Sequence, residues 1–253
     1  MALLEELEKQ GNFLFRWRSY IPSIIVFISM FYVADYKYIG GKLEKHHIFL
    51  FVCFLVSLFG LFIRCYTIGY APEKTSGRNT KKQVADTVNQ TGIYSLIRHP
   101  LYVGNFFMFF GIVLFVNSLS LTLIFILFYW MYYERIMYTE EHFLRGKFGP
   151  KYLLWADKTP ALIPNFREFK PAGLNFSYRN IIKREYPSLF GLVIMFLLYD
   201  LIFTYFNEPS LSTESFFGII KPYHKIIFLI DFVFYLFIRA LVKLTKIFHV
   251  EGR

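Results

Sequence analysis

The sequence predicts an all-α polytopic membrane protein: a helical bundle of about six transmembrane segments that includes a short central hairpin. Three observations carry that prediction. Of the 253 residues, 55% are hydrophobic and 21% aromatic, and the mean hydropathy is +0.40, above what a water-soluble domain carries. The apolar residues gather into six stretches, roughly 21–35, 48–69, 101–116, 119–134, 189–206 and 226–243, the middle pair shorter than the usual span of about 20 residues. The basic residues, finally, concentrate in alternate loops.

The first stretch comes after Glu-rich residues 1–10 and Arg16-Trp17-Arg18, and no small-residue cleavage site succeeds it, so it reads as a retained span rather than a removable leader. The second carries Cys53 and Cys65. They stand too far apart on one helix for a disulfide and lack paired metal-ligand spacing, which leaves them as packing residues. Ala71-Pro72-Glu73-Lys74-Thr75-Ser76-Gly77-Arg78-Asn79-Thr80 has turn chemistry throughout and reads as a loop placed to act as a lid.

Pro100 disfavours helix at His99 and suits a first helical turn, so the third span is expected to begin at Leu101. Its unpaired N–H groups and positive dipole end, beside Arg98 and His99, suit a carboxylate or phosphate. The bland alternative is that Arg98 and His99 snorkel toward lipid headgroups. Gly104 leaves room for a close helix or ligand. Asn117-Ser118 reads as a tight reversal, and the fourth span continues past Tyr132 and Tyr133 as a polar helix through Glu141. Pro150, Pro160 and Pro164 punctuate the segment beyond that helix. The chain divides into a membrane core (1–164), a polar linker (165–188) and an extension with two further spans (189–253). Asp200 and Asp231 fall within or near those last spans, where charge is costly enough to invite a functional reading unless the groups are paired.

Six spans put both termini on one side. All basic residues fall on that side except Lys37, Lys42, Lys45, Lys221, Lys225 and the intramembrane Arg64. Cytoplasmic loops accumulate Lys and Arg, so loops 70–100 and 135–188 are expected in the cytoplasm. The net charge of +10 is concentrated in the same loops and suits anionic lipid headgroups; no nucleic-acid-binding motif accompanies it. Richness in Phe, Ile, Lys and Tyr fits a bacterial source, which would make the membrane the inner one.

Two polar blocks interrupt this greasy chain: residues 91–105, and Glu140-Glu141 with Leu144, Phe148-Gly149 and Tyr152 beyond them. The central hairpin brings both to one side, which points to a cofactor site at a membrane face. Adjacent residues on a helix diverge by about 100°, so one of Glu140 and Glu141 is expected to point into a site as an acceptor for ligand hydroxyl or ammonium groups. The other is expected to be solvated or to pair with a loop cation. His142 has no histidine at i±4, so a zinc site of the His-Glu-x-x-His type is absent.

The pattern Gly92-x-Tyr94-x-x-x-Arg98-His99-Pro100-x-Tyr102-x-Gly104, then Glu140-Glu141-x-x-Leu144-x-x-x-Phe148-Gly149-x-x-Tyr152 with Pro160 and Pro164, resembles the isoprenylcysteine carboxyl methyltransferase and phospholipid methyltransferase superfamily. The resemblance covers about residues 72–164. It implies an integral membrane enzyme using S-adenosylmethionine, without a metal, whose cofactor contacts would fall on Asn89, Tyr94, His99, Pro100, Leu101, Tyr102, Glu140 and Glu141, with the stretch from Asp86 contributing upstream. Arg98, His99 and Arg135 would serve the reaction. Arg135 lies about one residue from the place where the family carries a substrate-contacting arginine, and position 156 is Ala where an aromatic is common.

Methyl transfer from a sulfonium is an in-line displacement that needs positioning more than proton transfer. Tyr94, Tyr102, Trp130 and Tyr152 are candidate rings for a cation–π contact worth about 0.5–2 kcal/mol, although aromatic residues also collect at membrane interfaces. A carboxylate or phosphate acceptor is already anionic and needs no base, whereas a phospholipid amine does. The expected substrate is therefore a lipid or lipid-linked oxygen acid, with amine methylation as the alternative. Two other classes stay open: an NADPH-dependent sterol-type reductase, with Arg78, Lys81 and Lys82 taking the 2′-phosphate, and a noncatalytic lipid-binding scaffold.

Overall fold

Backbone groups in a bilayer must bond internally, so a chain this apolar can cross only as helices or a closed barrel. A computed structural model shows helices and describes residues 2–18, 20–33, 43–72, 83–207 and 219–253. They are α1 (Leu3–Trp17), α2 (Ile21–Tyr32), α3 (Leu43–Tyr70), α4 (Pro100–Phe115), α5 (Leu119–Phe148), α6 (Pro150–Ala156), α7 (Tyr178–Asn207) and α8 (Pro222–Leu244), with 3₁₀ turns at Ile93–Ser95 and Phe166–Glu168. Among the described residues the β pairing is a single bridge between Gly92 and Lys170.

Every predicted apolar stretch is helical over its described residues, save Val116, which caps α4. Among those residues α3, α5 and α7 are long and apolar enough to cross a membrane by themselves, and α2 and α4 are shorter apolar helices. α8 is long enough too, but Lys225, Asp231, Arg239 and Lys243 interrupt it. The protein is thus an integral membrane protein built from helices.

α1 has no counterpart among the six stretches. It is amphipathic and packs along α5, with Gly11 so close to Thr139 and the Arg135 carbonyl that a Cβ there would collide with both. α4 begins one residue earlier than expected, with Pro100 in the first helical turn and His99 as its N-cap. α7 begins at Tyr178, so the second half of the expected linker 165–188 is helical. The reason is tertiary: Glu185, in that polar first part, is buried against Arg64 of α3.

α3 and α4 form the tightest pair. Side chains added at Gly60, Gly104 or Gly111 would strike the facing helix, so the close approach foreseen at Gly104 is to α3. Aromatic rings then tie α4 to α5, where Phe106 packs on Phe125, Tyr129 and Trp130. At one end of the bundle, Asp200 of α7 accepts from Tyr223 at 2.7 Å and lies 2.9 Å from His224 and 3.2 Å from His46. The intramembrane Asp200 is therefore paired. Asp231 is buried with its Oδ2 lacking a hydrogen-bond partner among the described residues. At the opposite end, the Gly69 carbonyl accepts from Ser177 N–H at 2.9 Å and from Arg253 at 2.8 Å. Both polar blocks lie at this second end.

Candidate active site

The chain between α3 and α4 reaches the bundle end and is fastened there by its own backbone. Gly92, at φ +62°, turns the strand-like approach into the Ile93–Ser95 turn, a conformation a side chain would strain; its N–H bonds Lys170 O at 2.8 Å. Arg98 N–H then bonds Pro160 O at 2.9 Å, and His99 N–H bonds Ala161 O at 3.2 Å. The Arg98 guanidinium also reaches the carbonyls of Ala156 and Thr159, at 2.8 and 2.6 Å. A residue fastened this way is not snorkelling. It clamps the segment after α6 onto the start of α4.

Glu140 and Glu141 project from the polar end of α5 onto the same histidine. Glu141 Oε1 accepts from Arg98 Nε at 2.8 Å and lies 2.9 Å from His99 Nε2. An ionised carboxylate only accepts, so Nε2 is the protonated ring nitrogen. The other nitrogen, Nδ1, faces Glu140 Oε2 at 3.7 Å. Glu140 Oε1 takes the Tyr102 hydroxyl at 2.7 Å, and the Tyr102 ring lies nearly parallel to His99, at 13°. The two carboxylates do diverge as helical geometry requires, and the imidazole spans the gap between them.

A cavity of about 790 Å³ opens over this cluster, within the usual range of about 300–1,000 Å³ for small-molecule sites. Asn89, Tyr94, Arg98, His99, Pro100, Leu101, Tyr102 and Glu140 all line it. Glu141 does not; it stands behind, holding Arg98 and His99, the loop-cation pairing that the sequence left open for one of the two carboxylates. Arg135 also falls outside the lining. Five residues separate it from Glu140, which turns it about 140° around α5, and its guanidinium bonds Gln10 of α1 at 2.9 Å. Trp130 and Tyr152 are likewise off the cavity wall. Arg78, Lys81 and Lys82, considered for a nucleotide phosphate, and most of the expected lid lie outside the described residues.

Burial and the neighbouring Glu140 raise the Tyr94 phenol well above its ordinary range, so it remains a donor at physiological pH. The Tyr94 carbonyl accepts from Trp155 Nε1 at 3.1 Å, and Trp155 lines the cavity. Position 156 carries no ring, and it is its neighbour Trp155 that stands on the cavity wall. Two amide groups stand in the lining: Asn89 beside the Tyr94 phenol, and Gln83, whose Nε2 is buried without a hydrogen-bond partner among the described residues. An orphaned buried donor costs about 1–3 kcal/mol, a cost that an acceptor on a ligand would remove.

Residues 48–151 match the phospholipid methyltransferase family. This segment is similar to that family, and within it lie α4, α5 and most of the cavity wall. A protein-S-isoprenylcysteine O-methyltransferase of Saccharomyces cerevisiae is 31% identical over 139 residues, 54% of this chain and 57% of the relative. Its namesake from Schizosaccharomyces pombe is 37% identical over 73 residues, 29% and 31% of the two chains. A cobalt-zinc-cadmium resistance protein of Cupriavidus metallidurans is 34% identical over 85 residues, 34% and 39%. The chain thus spans about a third to somewhat more than half of these relatives' lengths. No solved structure gives a significant match.

The methyltransferase match ends before α7, and the reach of the motif ends with it. Arg184, Glu185, Ser188, Gly191, Leu192 and Met195 of α7 complete the cavity wall. Glu185 binds Arg64 through both oxygens, at 2.7 and 2.9 Å, and Asn105 of α4 accepts from the same guanidinium. Arg64 was visible as an intramembrane charge. Its partner lies 121 residues away in a stretch that reads as linker, and no local pattern could have paired them.

Proposed function

We propose that the protein transfers a methyl group from S-adenosylmethionine to a carboxylate or phosphate oxygen of a lipid or lipid-linked acceptor at the cytoplasmic face of the membrane. The observation that carries this reading is the polar end of the cavity, where a carboxylate, two amide side chains and several aromatic rings converge. Glu140 would take the ligand's ammonium or ribose hydroxyls, and Asn89 and Gln83 its carboxylate or ring nitrogens. Tyr94, Tyr102 and Trp155 supply rings suited to a cationic sulfur. When bound, the cofactor supplies an electrophilic methyl group.

The remaining work is the protein's own. An anionic acceptor needs no base, so catalysis reduces to alignment and exclusion of water. Arg98 and Arg184, both on the cavity wall, favour an anionic head. Glu141 fixes the His99 ring through its Nε2 proton and so fixes the wall against which the ligand rests. The relatives named as isoprenylcysteine O-methyltransferases support an oxygen acceptor. A second reading, methylation of a phospholipid amine, is favoured by the description of the matched family. It requires loss of a proton from the ammonium, for which His99 Nδ1 is placed at the cavity wall.

The test is isothermal titration of the detergent-purified protein with S-adenosylhomocysteine, with NADPH as the parallel ligand. Saturable binding that is lost, or weakened about tenfold or more, in both His99→Ala and Glu140→Ala, with both variants still folded, supports the reading. Unchanged affinity in the two variants defeats the site assignment, binding of NADPH alone makes the protein a reductase, and binding of neither leaves a scaffold.

A further inference from the structure

The cavity is deeper than its polar end requires. Its lining on α4 runs from Pro100 to Ile112 and on α7 from Arg184 to Met195, roughly 18 and 16 Å of helix at about 1.5 Å per residue. Along α4 the polar groups stop at Asn105; beyond it Met108, Phe109 and Ile112 line the cavity, faced by Leu192 and Met195 of α7. Phe15, Arg18 and Ser23 of the N-terminal helices complete a largely apolar wall. A nucleoside or amino-acid group placed among these side chains would forfeit most of its hydrogen bonds. An apolar occupant would not.

We propose that α7 builds the acceptor half of the cavity, an apolar slot for the hydrocarbon chain of a long-chain lipid whose anionic head rests near Arg184 and Arg98. This deepens the methyltransferase reading and rests on it for the role of the head. The chain-specific feature is Gly191. It lies on the cavity wall, and a Cβ built on it meets nothing within 4 Å, unlike Gly60, Gly104 and Gly111, which are filled by the neighbouring helix. A glycine facing open space inside a bundle contributes nothing to packing and weakens its helix. It does keep the slot wide between α4 and α7. Charge agrees with shape: the slot lies below two arginines, at the end where lipid headgroups would meet the chain.

The experiment uses the full chain in nanodiscs, photolabelled in separate arms with palmitic acid and with phosphatidic acid, each carrying a diazirine in the acyl chain. Labelled peptides are identified by mass spectrometry. The expected result is labelling on 108–112 and 191–195 in wild type, reduced about tenfold or more in Gly191→Phe, because the added ring occupies the space of several methylenes. Affinity for S-adenosylhomocysteine should stay within about twofold, since the cofactor end is untouched. The better-labelled arm distinguishes a carboxylate head from a phosphate head. Gly191→Leu, smaller and helix-favouring, serves as the second variant if the phenylalanine variant does not fold. Labelling confined to outward-facing side chains and insensitive to both variants overturns the slot. Loss of S-adenosylhomocysteine binding in a folded Gly191 variant also overturns it, by giving the deep end to the cofactor. If wild type is labelled in the slot but binds no S-adenosylhomocysteine, the methyltransferase reading fails and the lipid slot stands.

Discussion

Removing Glu141 should damage the fold more than the ligand site, and removing Glu140 should do the reverse. Glu141 makes two charge-assisted contacts, to Arg98 at 2.8 Å and His99 at 2.9 Å, and its side chain is 23% exposed, so solvent screens these only in part. Bonds of this kind contribute about 1.5–3 kcal/mol each. Arg98 keeps its two carbonyl partners in Glu141→Ala, so the net loss should be about 2–4 kcal/mol. The 156–161 segment should loosen with it. Glu140→Ala gives up the single Tyr102 bond, about 1 kcal/mol of stability. It also removes the carboxylate that lines the cavity, which should weaken S-adenosylhomocysteine by roughly 10- to 100-fold if the lost contact is charge-assisted. Each variant is to be unfolded by denaturant in detergent and titrated with S-adenosylhomocysteine under matched conditions. A Glu141→Ala protein as stable as wild type, yet as poor in binding as Glu140→Ala, would refute the division of labour and place both carboxylates on the ligand.

Other variants probe the frame around the site. Glu185→Ala strands the largely buried Arg64 and should cost about 3–5 kcal/mol, while Arg64→Met combined with Glu185→Met should recover most of that loss, both read from the unfolding midpoint in detergent. Gly60→Val pushes a branched side chain onto the Gly104 carbonyl and the Met108 amide, and should lower stability by about 1–3 kcal/mol or prevent folding, as judged by size-exclusion profile and thermal unfolding. Arg135→Ala should leave S-adenosylhomocysteine affinity within about twofold, because its partner is Gln10 and not the cavity; a tenfold loss would return Arg135 to the site.

Much of this protein is legible in one dimension because a bilayer imposes one-dimensional rules. An apolar run must become a helix wherever lipid replaces water, so each of the six stretches falls on a helix, α2 to α5, α7 and α8, although α5 and α7 extend well past their apolar stretches into polar sequence. Pro100 marks the start of α4 because its ring is compatible with a first helical turn and little else. The second polar block was readable for a similar reason, since Glu140 and Glu141 stand out against an apolar helix. The amphipathic α1 was less visible, because its apolar stripe is meaningful only beside α5. Arg135 shows the limit of spacing arguments: an offset of one residue rotates a side chain by about 100°, and here it faces α1.

The sequence by itself determined the class and the helices, because each depends on local hydropathy or proline chemistry, while the resemblance carried by its two motifs named residues from Asn89 to Tyr102 and Glu140 that line the cavity. Tertiary structure alone decided the rest. It paired Arg64 with Glu185, set Glu141 behind His99, placed Trp155 on the cavity wall, and closed the cavity with α7. These contacts join positions dozens to more than a hundred residues apart, and buried charges and rings find their partners through helix packing in three dimensions, which no spacing along the chain records.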